Sequence, residues 1–283
     1  MTPADIPPFI DGFPTFGVPA MDPDVFRALS LLTPWDVDRA KVRIGNPRDG
    51  GYVMADGMAG ADVLSFGISN DVGFERDIAG RGHRCFMFDH TIERLPEENP
   101  GFHWRKLGIA GAGGETADLA TLDTILADLP EPSDRLLLKL DVEGAEWDVL
   151  SSVPAATLVR FDQIVGEFHW LRRLDEPAFR ERVIGALAAL SEQFTLFHVH
   201  ANNCRPLGIV AGFPVADVLE LSFVRTSLVE RRPSKTIYPA PGDLANNHVV
   251  PDHPLLFYPF LPTAPEIVVG DVVRRIMDES GSS

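Results

Sequence analysis

The sequence predicts an α/β protein: a doubly wound, mostly parallel seven-stranded sheet closed by an antiparallel terminal hairpin. Two observations predict it. Five short, nearly unbroken apolar runs, at 61–67, 83–89, 103–109, 135–141 and 162–170, read as parallel strands covered on both faces, with helical stretches between them. Two more runs, FTLFHVHANN (194–203) and DVLELSFVRT (217–226), follow with no good helix between them. A parallel return needs a crossover of roughly a dozen residues, so this last pair is expected to lie antiparallel at the sheet edge.

Taken in order, residues 1–20 are rich in Pro, Gly and Phe and suit a leader lying over a surface rather than a regular element. DPDVFRALSLL, from Asp22, has an Asp cap, a proline in the first turn and helical apolar spacing. The strands then alternate with helical segments VGFERDIAGRG, TLDTILADL, GAEWDVLSSV and EPAFRERVIGALAALSEQ. The tail is heavy in Pro, Asn and Asp, and only LLFYPFL (255–261) and PEIVVGDVVRRIMDE (265–279) look ordered in it. The expected divisions are an N-terminal extension and helix (1–40), one sheet domain (41–226) and a tail packed on that domain (227–283). No internal repeat and no second core is visible.

The 283 residues carry a formal net charge of -16. With no Lys/Arg cluster to offset it, that charge argues against nucleic acid or an anionic membrane as the main partner and favours a small molecule. Cys85 and Cys204 are the only cysteines, too few for a disulfide framework, so a reducing compartment is expected. The first residues lack a basic, apolar leader, and no run approaches the roughly 20 apolar residues of a membrane span, which points to the cytoplasm. Oligomeric state is left open, with LLFYPFL as a candidate interface patch between copies.

Ligands of an open parallel sheet sit beyond the carboxyl ends of its strands. The first strand ends at Gly67, whose freedom allows close backbone approach, followed by Ser69, Asn70 and a helix start. The next strand ends at Asp89, 22 positions after Gly67, close to the spacing at which an acid receives the hydroxyls of an adenosine ribose. Nicotinamide and S-adenosylmethionine enzymes share this pair. The dinucleotide fingerprint also wants glycine where Ser69 and Val72 stand, which weighs against a nicotinamide cofactor.

RIGNPRDGGYVM (43–54), LSFGISNDVGFE (64–75), CFMFDHT (85–91), LKLDVEGAEWDVL (138–150) and VGEFHW (165–170) resemble the FkbM-like S-adenosylmethionine-dependent methyltransferases, in the branch with an Asp-Gly-Gly-Tyr segment before the first strand. The resemblance implies a Rossmann-like class I methyltransferase fold and methyl transfer to an oxygen of a saccharide or other small metabolite. It implies that Gly67, Ser69 and Asn70 hold the methionine part of S-adenosylmethionine, that Glu75 caps the same loop and that Asp89 binds ribose. Asp49, Gly50, Gly51 and Tyr52 would fold over the cofactor carboxylate, Asp123 would position the adenine-side loop, and Asp141 would face the sulfonium and the acceptor.

Asp141 ends an apolar strand, so its carboxylate is expected at the sheet edge beside the Gly67 loop. Glu143 and Glu146 read as first-turn acids favoured by a helix dipole at about 0.3–1 kcal/mol each. Lys139 shares a strand face with Asp141, as an ion partner or an outward-reaching chain. A sugar hydroxyl needs a base or a metal to lose its proton. Glu167 and His169 end the fifth strand, while His198 and His200 lie along the sixth. Two mechanisms follow: His200 or His169 accepts the proton with Glu167 or Asp141 orienting the ring, or Asp141, Glu167 and His169 bind a divalent ion, whose histidine ligand would suit Mn²⁺, Fe²⁺ or Zn²⁺. Trp147, Phe168 and Trp170 are candidates to stack on a sugar or else core aromatics, and Asn202, Asn203 and Arg205 either bond a polar acceptor or form a turn. Competing functions are a non-catalytic cofactor-fold scaffold and an NAD-dependent sugar oxidoreductase.

Overall fold

In the computed structural model, which describes residues 9–10, 13–14, 22–57 and 59–264, the apolar runs form one seven-stranded sheet. Its strands are β1 (Asp62–Phe66), β2 (Cys85–Phe88), β3 (Phe102–Arg105), β4 (Leu136–Leu140), β5 (Phe161–Phe168), β6 (Phe194–Ala201) and β7 (Leu219–Arg225). Across the sheet the order is β6-β7-β5-β4-β1-β2-β3. All neighbours from β3 to β5 are parallel, and β7 is antiparallel to both β5 and β6. The chain winds outward from β1 in one direction and resumes at β4 in the other, so the crevice of this sheet opens between β1 and β4.

The expected antiparallel terminal pair is present at the sheet edge. β7 does not extend the edge but inserts between β5 and β6, which leaves β6 outermost. The 17-residue helix α6 (Pro177–Gln193) makes the crossover from β5 to β6, two strands that run parallel with a one-strand gap that β7 fills. The run at 103–109 also divides: after β3, Gly108–Ile109 leaves the sheet and pairs in parallel with Leu119–Ala120.

Helix α1 (Pro23–Ser30) starts as its sequence requires, with Asp22 Oδ1 accepting from Asp24 N at 2.8 Å and Val25 N at 3.3 Å. It buries Val25, Ala28 and Leu29 in the larger core, which also takes α3 (Leu122–Ala127), α4 (Glu146–Ser152) and α6. The opposite face is covered by α2 (Gly73–Gly80) and an antiparallel hairpin, Lys41–Gly45 with Gly51–Ala55. The hairpin is the GNPRDGG stretch closed into a turn, and it places Tyr52 under the sheet edge at 1% exposure.

The ends of the chain hold further differences. Phe9–Ile10 pairs antiparallel with Phe13–Pro14 inside the stretch expected to lack regular elements. Trp35–Val37 pairs with Arg231–Pro233, which ties the tail back to the start of the domain. LLFYPFL turns inward: Leu255 and Phe260 are core residues, and Tyr258 stacks on Phe26 with centroids 4.8 Å apart, so the segment is not a free apolar patch. PEIVVGDVVRRIMDE lies outside the described residues. Among the described residues, no helix is long and apolar enough to cross a membrane.

Candidate active site

The loops after β1 and β4 meet at the crevice. Asp141 N donates to the Phe66 carbonyl at 3.1 Å, and Gly67 follows with φ +78°. A Cβ on Gly67 would stand 1.6 Å from the Asp141 carbonyl oxygen, so only glycine lets the two backbones touch. Beneath them Lys139 is buried, with Nζ donating to the Gly67 carbonyl at 2.5 Å and lying 3.7 Å from Asp141 Oδ2. It is an inward ion partner, not an outward-reaching chain. Glu75 is buried on the same side and accepts from the Ser65 hydroxyl. Burial raises the Glu75 carboxyl above its usual range, against the pull of the Lys139 charge.

At the end of β2, Asp89 joins two loops. Its Oδ2 accepts from Ile68 N and Ser69 N, both at 2.9 Å, and its Oδ1 from Thr91 N at 2.7 Å and Thr91 Oγ1 at 2.6 Å. Burial works to raise this carboxyl, but the bonds from Ser69, Thr91 and Ile68 outweigh it and hold it below its usual value. These loops frame a cavity of about 740 Å³, within the range of small-molecule and cofactor sites. Asp49, Gly67, Ser69, Asn70, Glu75, Asp89 and Asp141 all line it.

Three residues expected at the cofactor do not line this cavity. Asp123 accepts from the Thr157 hydroxyl and fastens α3 to the short helix α5 (Ala155–Leu158). Gly51 sits behind the wall, where a Cβ would come within 2.1 Å of the Asn46 carbonyl, and its neighbour Gly50 lines the cavity instead. Tyr52 reaches the site from beneath: its hydroxyl donates to Asp141 Oδ2 at 3.1 Å. Burial and the Asp141 charge push that phenol well above its ordinary value, so it stays a donor. Asn46, Arg48, His90, Leu119 and Glu143 also line the cavity. Asn46 and Arg48 lie in the motif already singled out, whereas Leu119 comes into place only through pairing with Gly108.

The acids after Asp141 play parts that a helix dipole does not describe. Glu143 (φ +54°) and Gly144 (φ +102°) form a turn ahead of α4, so Glu143 is outside the helix, its side chain 86% exposed at the cavity. Gly144 is required here, because a Cβ would lie 2.5 Å from the Trp170 ring. Glu146 does open α4, but it is fully buried. Its Oε1 accepts from Val142 N at 2.9 Å and lies 3.0 Å from His169 Nδ1. Trp147 donates its indole N–H to the His169 carbonyl at 2.8 Å. Trp147 and Phe168 are therefore core, and Trp170, 40% exposed, is the aromatic of the three that reaches solvent.

Glu167 and His169 stand next to Asp141, with one donor atom from each of the three within 4.8 Å of the others. Glu167 Oε1 accepts from Asn202 at 3.1 Å, and its Oε2 lies 3.4 Å from His169 Nε2. Burial opposes charge on the His169 ring, but Glu146 and Glu167 outweigh it and raise the group to about 10. Glu167 itself is pushed well above the carboxylate range, by burial first and by the charges of Asp141, Glu220 and Asp49.

His200 does not join them. Its Nδ1 lies 3.0 Å from Glu220 Oε2 and its Nε2 2.9 Å from Asp252 Oδ2. Burial opposes the charge, yet the two carboxylates raise the ring to about 10. Both His200 nitrogens are bonded to carboxylates, so this ring has no free nitrogen to serve as the expected base, whereas only Nδ1 of His169 is held in a hydrogen bond. His198, buried and bonded to Asp243 Oδ1 at 2.6 Å, is lowered by that burial. Asn203 bonds the Asn247, Val250 and Pro251 carbonyls, a staple for the tail, and Arg205 approaches Asp217 at 3.9 Å. Glu220 and Asn246 were missed. A glutamate inside the apolar run DVLELSFVRT was the available signal for the first, while nothing marked Asn246, which bonds Glu220 at 2.7 Å and Asp49 at 3.0 Å.

A sheet with this strand order and a cofactor-sized cavity at its switch point defines a Rossmann-like class I methyltransferase architecture. Residues 54–188 match the family model described as the Methyltransferase FkbM domain, and that segment is an FkbM-type methyltransferase domain. The protein is a methyltransferase dependent on S-adenosylmethionine, which displaces the scaffold and NAD-dependent alternatives. Solved structures similar to it include precorrin-6y C5,15-methyltransferase from Geobacter metallireducens GS-15, at 12% identity and TM-score 0.30 over 60% of this chain and 83% of that one. Another is the plantazolicin methyltransferase BpumL in complex with a monoazolic desmethylPZN analog and SAH, at 9% identity and TM-score 0.28 over 58% and 76%. A comparison with curated proteins gives no match.

Proposed function

We propose that this enzyme moves a methyl group to a hydroxyl oxygen of a saccharide or related small hydroxylated metabolite. The observation that carries the reading is the double membership of Asp141, which lines the cofactor cavity and also belongs to the polar group with Glu167 and His169. An acceptor must stand in line with the departing methyl, so its site must adjoin the cavity. At that junction the side chains are hydrogen-bonding groups, which suits hydroxyls better than an apolar acceptor.

The cavity fits the cofactor in size and in chemistry: Gly67 removes the side chain that would block the loop, and Asp49, Asp141 and Glu143 supply negative charge opposite a cationic sulfur centre. Gly67, Ser69 and Asn70 would hold the methionine part and Asp89 the ribose. When bound, S-adenosylmethionine supplies the methyl: the S–C bond breaks with its electrons passing to sulfur as an oxygen lone pair forms the new O–C bond. Asp141 orients the acceptor hydroxyl and Glu167 receives its proton. Tyr52 and Lys139 hold Asp141 in place, and His169 stands 3.4 Å from Glu167 Oε2.

Incubation of the full chain with methyl-labelled S-adenosylmethionine and a panel of sugars, sugar acids and amines tests the reading. Label appearing in base-stable ethers of hydroxylated acceptors is the expected result. Transfer to amines alone, with none to oxygen, overturns the oxygen assignment.

A further inference from the structure

We infer that Asp141, Glu167 and His169 together bind one divalent cation of the Mn²⁺, Fe²⁺ or Zn²⁺ class at the acceptor end of the cavity. The three side chains come from two adjacent strand ends and offer donor atoms that all lie within 4.8 Å of one another. Proximity alone would not distinguish this group from an ordinary buried ion pair. The way each side chain is held does.

Every one of the three is gripped at one atom by a further residue. His169 Nδ1 is fixed by Glu146 Oε1 at 3.0 Å, Glu167 Oε1 by Asn202 Nδ2 at 3.1 Å, and Asp141 Oδ2 by the Tyr52 hydroxyl at 3.1 Å. Each then has another donor atom to offer a common centre. Residues that ligate metals are oriented in this manner: an imidazole gives one nitrogen to the ion and the other to a carboxylate, and ligating carboxylates are themselves hydrogen-bonded. Glu146 is fully buried: its Oε1 serves Val142 N as well as His169, and its Oε2 is a buried oxygen with no hydrogen-bond partner.

Within the group, contact geometry leaves room for a better partner. His169 Nε2 and Glu167 Oε2, both on side chains more than nine-tenths buried, approach only to 3.4 Å, long for an aligned hydrogen bond. The Asp49 and Glu220 carboxylates also offer oxygens within 4.8 Å of a Glu167 oxygen, which adds negative charge. Lys139, bonded to the Gly67 carbonyl and 3.7 Å from Asp141 Oδ2, offsets only part of that charge, and His200 lies between Glu220 and Asp252. A cation bound here relieves the crowding. Mg²⁺ prefers oxygen throughout, so a ring nitrogen in the set favours the later divalent metals.

The purpose of the ion rests on the proposed hydroxyl acceptor. Held by Asp141, Glu167 and His169, the ion would accept one or two acceptor oxygens and lower the hydroxyl pKa, so that the proton would leave to water instead of to Glu167, and the methyl transfer would otherwise balance as above. This would make the acceptor a vicinal diol or hydroxy acid, able to chelate.

The test uses the full chain stripped with EDTA and dialysed. Mn²⁺ is titrated with the free aquo ion followed by electron paramagnetic resonance, and Zn²⁺ by calorimetry. Saturable binding near one equivalent is expected. Glu146→Gln should weaken it about 10- to 100-fold, with Glu167→Gln and His169→Ala weakening it further. Circular dichroism and the affinity for S-adenosylhomocysteine are measured on every protein. Failure of wild type to bind either metal overturns the site, and so does unchanged binding by Glu167→Gln and His169→Ala variants with native spectra. If the metal-free chain still binds S-adenosylhomocysteine, the methyltransferase site stands when the metal fails; a chain that binds metal and not S-adenosylhomocysteine keeps the metal site and loses the cofactor site.

Discussion

Gly67 and Asp141 touch backbone to backbone: a Cβ on the glycine would fall 1.6 Å from the aspartate's carbonyl oxygen. Gly60 has the same φ of +78° with nothing within 4 Å of its Cβ position, so the pair separates backbone strain from steric collision. Gly60→Ala should cost only the left-handed penalty of about 1–2 kcal/mol. Gly67→Ala should cost more and lower S-adenosylhomocysteine affinity at least about tenfold, because the β1 and β4 loops must part. Urea denaturation and calorimetry on both variants decide it; equal effects would sink the contact.

Asp89→Ala removes four hydrogen bonds to Ile68, Ser69 and Thr91. The two loops that frame the cavity lose their common anchor. The expected outcome is a folded protein whose affinity for S-adenosylhomocysteine falls more than tenfold, and an affinity equal to wild type would remove Asp89 from the cofactor site.

Tyr52→Phe deletes one donor to Asp141 and leaves the ring in place. A hydrogen bond of this kind contributes about 0.5–1.5 kcal/mol, or up to about 3 where the partner is charged. Methyl transfer should slow between about 2- and 100-fold, while S-adenosylhomocysteine affinity changes little. A variant whose loss appears wholly in cofactor binding would move Tyr52 from the acceptor side to the cofactor side.

His200 sets a pH dependence of stability. Its folded pKa, raised to about 10 by Asp252 and Glu220, exceeds the unfolded value near 6.5. The contribution is therefore complete below about pH 6.5 and is lost as pH rises through about 10. Each unit of the rise corresponds to about 1.4 kcal/mol. Unfolding midpoints at pH 6, 8 and 10.5 should converge between wild type and His200→Asn at the alkaline end; a constant gap across the three would contradict a protonated ring.

Trp147→Phe leaves the buried His169 carbonyl without its indole donor. An unsatisfied buried acceptor costs about 1–3 kcal/mol. Denaturation should show that loss, and the released His169 should lower activity beyond it.

Much of this protein was open to reading in one dimension. Strand positions could be read because a strand covered on both faces must be apolar at nearly every position, and Leu136–Leu140 is buried throughout. Gly67, Asp89 and Asp141 follow, since each ends such a run and strand ends of a parallel sheet face the ligand side. The sequence by itself therefore determined the layers, the ligand edge and the carboxylate at its centre.

The tertiary structure decided which partner each polar group received. Glu146 looked like a helix-capping acid until β5 brought His169 to it, and His200 looked like a base until Glu220 and Asp252 closed on both nitrogens. Asp252 lies 52 residues beyond His200, and Tyr52 lies 89 before Asp141. Local periodicity records whether a residue is buried, because burial depends on its own face of its own element. Ionisation depends instead on which distant charges the strand order sets alongside it, and the insertion of β7 between β5 and β6 is a choice that no neighbouring residues encode.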